Sequence, residues 1–114
     1  MGNEHEGIYR HFKGNYYEVV GSAVDEATGE AFILYRQMYE PFGYWIRPEK
    51  MFFGEKQTDT GPIKRFKKVG VSLVNSLRWE KIESLTLRHS ETLAEYKIVK
   101  QDLDKAVFYV KAAE

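Results

Sequence analysis

The sequence has no cysteine among its 114 residues, and this absence limits the chemistry that the chain can carry. Without thiols there is no disulfide framework, no thiolate zinc site and no cysteine nucleophile. Residues 1–7 are polar and charged with no apolar segment, so they predict neither a signal peptide nor a membrane-spanning helix. We therefore expect a cytoplasmic protein whose first seven residues form a disordered tail.

An excess of charge is also missing, because 17 basic side chains balance 17 acidic ones and the formal net charge is zero. This balance argues against general binding to polyanions, although a local basic patch remains compatible with it. Hydrophobic residues make up 43% of the chain and charged residues 30%, as in soluble globular proteins. The length suits one domain with a single core.

Glycine and proline are absent after Gly70, whereas the first 70 residues contain all nine glycines and all three prolines. Such a change in composition marks a boundary between differently built segments. We therefore divide the chain into a β domain over residues 8–70 and a C-terminal extension over residues 71–114.

Alternating apolar and β-branched residues predict several short strands in the β domain. They are expected at residues 8–12, at 16–24 and 31–36 as a hairpin with its turn at 25–30, at 44–47 after a loop, and at 63–69. Proline is favoured at the first position of a helix, so residues 48–52 predict a single helical turn. Residues 54–61 have the composition of a polar turn.

The extension is predicted to contain a long helix, because its apolar residues recur every three or four positions. Ser90 would cap this helix, and its apolar face comprises Leu93, Tyr96, Val99, Leu103, Ala106 and Val110. The alternative is a pair of strands at 96–99 and 106–110 with a turn at 102–104. A further helix is drawn through Leu73, Val74, Leu77, Lys81 and Leu85. We expect the extension to pack on the β domain or to mediate homodimerisation.

Two strings in the β domain carry a family resemblance, YRHFKGNYYEV at residues 9–19 and WIRPEKMF at residues 45–52. With TGE at 28–30 and LYR at 34–36, they resemble the bacterial family known only as domain-of-unknown-function family 1653, over about residues 8–68. The resemblance implies a small SH3-like β-barrel with no settled biochemical activity. Residues 24–27 depart from the family, which often has an Arg-His-Ser-Glu sequence before the Thr-Gly turn.

The sequence LRHSETLAE at residues 87–95 resembles that same turn as the relatives have it. Aligning Thr92 with Thr28 pairs Leu93 with Gly29, which removes the turn glycine. It also pairs Lys97 with the apolar Ile33. We therefore interpret the likeness as a coincidence at a helix cap rather than as a second copy of the domain.

Aromatic and arginine side chains from neighbouring strands predict a binding face at one end of the barrel. Aromatic rings bind cations, peptide side chains or bases, and arginine binds anions through paired hydrogen bonds. The candidate ligand-binding residues are Tyr9, Arg10, His11, Tyr17, Tyr35, Tyr39, Tyr44, Trp45, Arg47 and Arg65. In the alternative interpretation most rings form the core, Arg10 and Arg47 pair with Glu18 and Glu49, and the face binds nothing.

These residues favour a noncatalytic module that recognises a peptide or a nucleic-acid element. The alternative is a small-molecule or nucleotide-binding protein in which His11 and Arg47 act enzymatically, since imidazole titrates near neutrality. No His-x-x-x-His, His-Glu or Asp-x-Asp spacing provides a metal cage, so we predict neither a metal site nor a cofactor.

One basic cluster is the candidate nucleic-acid contact, and it comprises Lys64, Arg65, Lys67 and Lys68. The alternative is a solvated edge strand whose lysines prevent aggregation. No membrane partner is expected.

Overall fold

The computed structural model describes residues 5–71, 86–102 and 104–113, and these ranges are mainly β. The described part contains ten strands and one short helix. In chain order they are β1 (Gly7–His11), β2 (Tyr16–Asp25), β3 (Ala31–Gln37), β4 (Tyr44–Pro48), α1 (Glu49–Phe52), β5 (Glu55–Thr58), β6 (Gly61–Lys64), β7 (Phe66–Gly70), β8 (Thr86–His89), β9 (Glu95–Asp102) and β10 (Val107–Ala112). The prediction of a mainly β fold built on a small barrel is confirmed.

Six strands close into a ring in the order β2, β3, β4, β8, β9 and β10, with β10 pairing back onto β2. Four of the six strand pairings are antiparallel, whereas β4 pairs with β8 and β10 pairs with β2 in parallel. The N-terminal and C-terminal segments each contribute three consecutive strands, so neither segment closes the barrel alone.

Strand β2 holds the two parts of the sheet together because its two halves have different neighbours along one edge. Its first half pairs with β1, from Tyr16 to Val19, and its second half pairs with β10, from Ser22 to Asp25. Gly21 lies between the two halves, where the register with β3 shifts. Its lack of a side chain lets the backbone of Ala106 approach closely, and the Ser22 N–H donates to the Ala106 carbonyl at 3.0 Å.

Two separate clusters of buried residues pack against the sheet of β2, β3 and β4, so the prediction of a single core is wrong. Successive residues of a strand point to opposite faces of the sheet. The face that lines the ring supplies the barrel core, which comprises Val20, Ala23, Phe32, Leu34, Ile46, Leu87, Ile98, Phe108 and Val110. The opposite face forms an outer cluster with β1, α1 and β7, which comprises Tyr9, Val19, Ile33, Tyr35, Phe52 and Phe66.

The local predictions for residues 8–52 are confirmed. Strands β2 and β3 form the expected hairpin, β4 pairs with β3, and the helical turn α1 follows Pro48. The predicted strand at 63–69 is instead interrupted at Arg65, and its two parts have different partners. Strand β6 pairs with β5, and β7 pairs with β1. Strand β5 occupies residues 55–58 of the segment that was predicted to be a polar turn.

The predicted helix that begins at Ser90 is wrong, and the alternative pair of strands is correct. Residues 95–102 and 107–112 form β9 and β10, whose buried residues alternate at Phe108 and Val110. Val99, placed on the apolar face of the helix, is exposed. The predicted helix over 73–85 and the position of Leu103 lie outside the described residues. In the described ranges no helix has the length and apolar character needed to cross a membrane.

The C-terminal strands repeat the arrangement of β2, β3 and β4, so the interpretation of LRHSETLAE as a coincidence is wrong. Each residue of the repeat corresponds to the one 64 positions earlier, as Thr92 corresponds to Thr28. Strand pairing follows this correspondence in both copies, except beyond the bulge between Tyr109 and Val110, where β9 and β10 are shifted by one residue. Ser22 pairs with Ile33 as Thr86 does with Lys97, Leu34 with Ile46 as Ile98 does with Val110, and Ala23 with Phe108 as Leu87 does with Tyr44.

The two hairpin turns also match bond for bond. In the first turn the Gly29 N–H donates to the Asp25 carbonyl, the Asp25 N–H to the Glu30 carbonyl, and the Ala27 N–H to Asp25 Oδ1. In the second turn the same three positions give Leu93 N–H to the His89 carbonyl, His89 N–H to the Ala94 carbonyl, and Glu91 N–H to His89 Nδ1. His89 therefore replaces an aspartate as the side-chain acceptor of the turn.

Because Gly21 lies against the backbone of Ala106, a side chain there would force β10 away from β2. A Cβ atom at Gly21 would sit well inside the van der Waals distance of the Ala106 carbonyl oxygen. We expect Gly21→Ala to lower the free energy of unfolding by about 1–3 kcal/mol, as overpacking does. Urea unfolding followed by circular dichroism measures this change.

Gly70→Ala is the matched control, because a Cβ atom at Gly70 would meet its nearest neighbour, Ile8 Cβ, at 3.9 Å. The control is expected to stay within about 0.5 kcal/mol of the parent, as benign surface changes do. Equal stability of the two variants would contradict the close seam between β2 and β10.

Candidate functional site

The outer face of β3 and β4 carries three of the ten candidate residues singled out from the sequence, namely Tyr35, Trp45 and Arg47. Tyr35 and Trp45 lie directly opposite each other in neighbouring strands. Gln37 and Arg47 are two residues further along their own strands, and therefore on the same face. Alternation along two paired strands thus brings these four side chains to one surface.

A pocket of about 230 Å³ opens on this surface, and we call it the aromatic pocket. It is lined by Tyr17, Tyr35, Gln37, Tyr39, Trp45, Arg47, Ser90 and Leu93. Its walls come from both repeats, because Ser90 and Leu93 belong to the turn between β8 and β9. The volume suits one planar ring rather than a large ligand.

Hydrogen bonds hold the rings of the pocket in place. Gln37 Oε1 accepts from the indole Nε1 of Trp45 at 3.0 Å and from the Gly43 N–H at 3.2 Å. The hydroxyl oxygens of Tyr17 and Tyr39 are 2.5 Å apart. Rings fixed in this way lose little conformational freedom when a ligand binds.

Arg47 is the charged group of the pocket, and only 14% of its side chain is exposed. Its Nε donates to the Tyr35 hydroxyl at 3.3 Å, and its guanidinium carbon lies 5.6 Å from the centre of the Phe66 ring. Its NH1 donates to a carboxylate oxygen of Glu91 at 3.2 Å, and Glu91 is 43% exposed. An ion pair to such an exposed partner contributes little energy, so a ligand anion can replace Glu91.

The alternative interpretation, in which Arg10 and Arg47 pair with Glu18 and Glu49, does not match the ion pairs of the described residues. Glu18 is buried and accepts from Arg36 NH2 at 2.9 Å. Arg47 pairs with Glu91, a residue of the second repeat.

Tyr35 and Tyr17, two tyrosines of the pocket, stay protonated at neutral pH. Burial raises the pKa of the Tyr35 hydroxyl, and the nearby positive charge of Arg47 only partly opposes this. Burial and the hydrogen bond with Tyr39 both raise the pKa of Tyr17. A negatively charged ligand therefore meets no phenolate at Tyr17 or Tyr35, and Arg47 is the charged residue of the lining.

His11 lies outside the aromatic pocket and lines a neighbouring basic cleft of about 600 Å³. This basic cleft is formed by Arg10, His11, Phe12, Ile63, Lys64, Lys67 and Val69. The His11 ring is 4.8 Å from Phe66, the ring that Arg47 also covers, so the cleft and the pocket adjoin. Burial first, and then the charges of Arg47, Arg65 and Lys13, lower the pKa of His11 to about 4.

The remaining candidates are divided among three places. Tyr9 is buried in the outer cluster and donates to the His5 carbonyl at 3.0 Å. Tyr44 faces the barrel core and an open groove on the other side of Trp45. Arg65 lies beside the basic cleft, and its buried Nε has no hydrogen-bond partner among the described residues.

Gln37, Ser90, Glu91 and Leu93 also shape the site, although the sequence analysis did not select them. Gln37 follows Tyr35 by two positions in β3, so alternation alone could have identified it. The other three lie in the turn between β8 and β9. The sequence of this turn resembles the first hairpin turn of the family, but the likeness was interpreted as a coincidence at a helix cap.

No group of three or more His, Asp or Glu side chains within the described ranges is arranged to hold a metal ion. The candidate site consists of the aromatic pocket, whose charged residue is Arg47, and the adjoining basic cleft.

Comparison with known proteins places the first repeat and its flanking strands in one family. The family described as Protein of unknown function (DUF1653) matches residues 7–68. The crystal structure of a DUF1653 protein from Bordetella bronchiseptica is similar to this chain at 32% sequence identity and a TM-score of 0.54. The similarity covers 59% of this chain and 88% of the other. No curated protein matches the chain.

The lowered pKa of His11 predicts how stability depends on pH. Because the unfolded chain binds a proton at higher pH than the folded chain, stability should fall as pH falls from about 6.5 to about 4. Proton NMR titration of the folded protein is expected to give a midpoint near 4 for the His11 ring.

The variant Arg65→Gln removes one of the neighbouring charges and should move this midpoint upwards. The midpoint should not return to the ordinary histidine value, because burial contributes more to the lowered pKa of His11 than Arg65 does. A wild-type midpoint at or above 6.5 would show that His11 is neither buried nor surrounded by cations as described.

Proposed function

The chain belongs to the family described as Protein of unknown function (DUF1653), and we propose that it is a noncatalytic module that binds single-stranded nucleic acid. In this proposal the aromatic pocket takes one base, and the basic cleft takes the phosphates that follow it. The observation that carries the proposal is the junction of the two at Phe66, whose ring contacts both Arg47 and His11.

The aromatic pocket supports the recognition of a base by stacking. Base stacking on an aromatic side chain is tolerant of sequence because every base has a flat π face. Trp45 has the largest such face in the pocket, and its hydrogen bond to Gln37 fixes the ring. A base in a duplex is already stacked and paired, so the pocket favours a single strand.

Arg47 supports the recognition of an anion next to that base. Its guanidinium is held by Tyr35 and Phe66 and is paired on its open side with the exposed Glu91. A phosphate presents several strong acceptors to a guanidinium and can take the place of the carboxylate. The ligand therefore does not have to reorganise the buried part of the site.

The basic cleft extends the positive surface away from the pocket. Lys64 and Lys67 are exposed on its rim and Arg10 lies beside them. A zero net charge is compatible with this role, because the cations concentrated here provide a local phosphate contact. Strand β7 also lies at an edge of the sheet, so its lysines additionally guard that edge.

The enzymatic alternative depends on His11 acting beside Arg47 and Trp45. His11 lines the basic cleft instead of the aromatic pocket, and its low pKa leaves the imidazole neutral at physiological pH. A neutral imidazole can donate one hydrogen bond to a phosphate, which suits binding. These observations favour a binding role over acid catalysis.

The double variant Trp45→Ala/Arg47→Ala should lose most of its affinity for a single strand. A fluorescein-labelled oligothymidylate of roughly ten nucleotides, within the usual span of small barrels, is a suitable probe in low salt. Fluorescence anisotropy should show a loss of about 5- to 150-fold, since one stacked base contributes about 1–3 kcal/mol.

The second repeat offers the matched control, because Tyr109 pairs with β2 as Trp45 pairs with β8, and Lys111 pairs with Lys97 as Arg47 pairs with Ile33. Tyr109→Ala/Lys111→Ala removes an aromatic ring and a charge of the same kind and is expected to bind as the parent does. Equal losses in both double variants, or tighter binding of the parent to polyglutamate than to the oligonucleotide, would refute the assignment.

Phosphate binding by the basic cleft should appear in the salt dependence of affinity. Lys64→Gln/Lys67→Gln is expected to reduce the slope of log K against log salt by about 1.4, at about 0.7 for each phosphate that is no longer neutralised. Anisotropy titrations at several salt concentrations measure the slope. Lys111→Gln, which removes a charge in the second repeat, should leave the slope unchanged, and an unchanged slope in the first variant would exclude the cleft.

A further inference from the structure

Leu93 has an unusual conformation for its residue type. Its φ of 64° lies in the left-handed region, which favours glycine, and 56% of this large apolar side chain is exposed. Non-glycine residues with positive φ are uncommon and cluster at functional sites. A leucine that is strained and exposed at once is costly to keep in a hairpin turn.

The equivalent turn of the first repeat has glycine in place of this leucine. Gly29 occupies the equivalent position with a φ of 80° and donates the equivalent hydrogen bond. A Cβ atom built on Gly29 has no neighbour within 4 Å. The turn itself is therefore compatible with glycine, and the leucine is explained by what surrounds it in the second repeat.

What surrounds Leu93 is the aromatic pocket on one side and an open groove on the other. The open groove has a volume of about 580 Å³ and is lined by Gln37, Pro41, Gly43, Tyr44, Trp45, Thr86, Arg88, Leu93 and Glu95. The pocket and the groove share Gln37, Trp45 and Leu93. These three residues therefore form a partition between the two cavities, and Leu93 is the part of it that the second repeat supplies.

We infer that the aromatic pocket and the open groove are consecutive subsites for two neighbouring nucleotides, and that Leu93 contacts the ligand between them. This inference rests on the proposed binding of single-stranded nucleic acid. A chain ligand that crosses the partition places one base beside Trp45 in the pocket and the next base beside Tyr44 in the groove.

The charges on the two sides of the partition fit such a ligand. Arg47 lies in the pocket, and Arg88 lies in the groove with its NH2 3.6 Å from a carboxylate oxygen of Glu95. Both members of this second ion pair are about half exposed, so a phosphate can compete for Arg88 as it does for Arg47. Each subsite thus combines an aromatic ring with an arginine.

The test compares thymidine 5′-monophosphate with the 5′-phosphorylated thymidine dinucleotide by isothermal titration calorimetry of the full chain. The parent is expected to bind the dinucleotide about 5- to 150-fold more tightly, as one further stacked base implies. In Leu93→Gly this advantage should fall to about threefold or less, and the affinity for the dinucleotide should fall by more than that for the monophosphate, because Leu93 lines the groove as well as the pocket.

Gly29→Leu is the matched control, because it introduces the same side chain at the equivalent turn and should leave the affinity for both ligands unchanged. Leu93→Asn serves as a second variant, since asparagine tolerates the left-handed conformation. It should show the same selective loss. The melting temperature of Leu93→Gly should equal or exceed that of the parent, as relief of backbone strain implies.

Three results would overturn the inference, and they separate it from the proposed function. A parent that binds oligothymidylate but gains nothing from the second nucleotide refutes the subsites alone. An unchanged dinucleotide advantage in both Leu93 variants refutes the role of Leu93. A parent that binds neither nucleotide nor oligothymidylate refutes the proposed function and this inference with it.

Discussion

The sheet formed by β2, β3 and β4 is buried on both faces, and the rest of the structure depends on this constraint. Phe32 and Leu34 enter the barrel core, while Ile33 and Tyr35, which alternate with them, enter the outer cluster. A slip of one residue in strand pairing would exchange the two sets and damage both clusters at once. The register that places Tyr35 opposite Trp45 is therefore fixed by the packing on either side of it.

This constraint also explains why the C-terminal repeat is needed. The inner face of β2, β3 and β4 is apolar, and the residues that cover it in the barrel core come from β8, β9 and β10. The two parallel seams are equivalent, because β4 meets β8 as β10 meets β2. Each repeat thus closes the open edge of the other, as two subunits do across a twofold axis in a symmetric dimer.

The first half of the fold was predictable because several signals agreed there. Alternation gave the strands, the Thr28 and Gly29 turn gave the hairpin, and family strings covered the same residues. In the second half the apolar spacing favoured a helix over the strand pair, and the position of the turn glycine is occupied by Leu93. The alignment of the charged Lys97 with Ile33, which is apolar and buried, was an argument against a repeat. Among the described residues, however, β1, α1 and β7 cover the face of Ile33 in the first repeat, whereas Lys97 in the second repeat is exposed.

The outer face is covered by β1, α1 and β7 in the first repeat, and the aromatic pocket of the described structure lies on this face. The candidate site was only partly predictable. Tyr17, Tyr35, Trp45 and Arg47 could be found from the sequence because they lie within recognisable strands. The closing wall could not, because Ser90 and Leu93 reach the pocket only after the barrel has closed. At the equivalent positions of the second repeat, Val99 replaces Tyr35 and Lys111 replaces Arg47. The aromatic and arginine face therefore belongs to one repeat, and the turn of the other repeat forms part of the pocket wall.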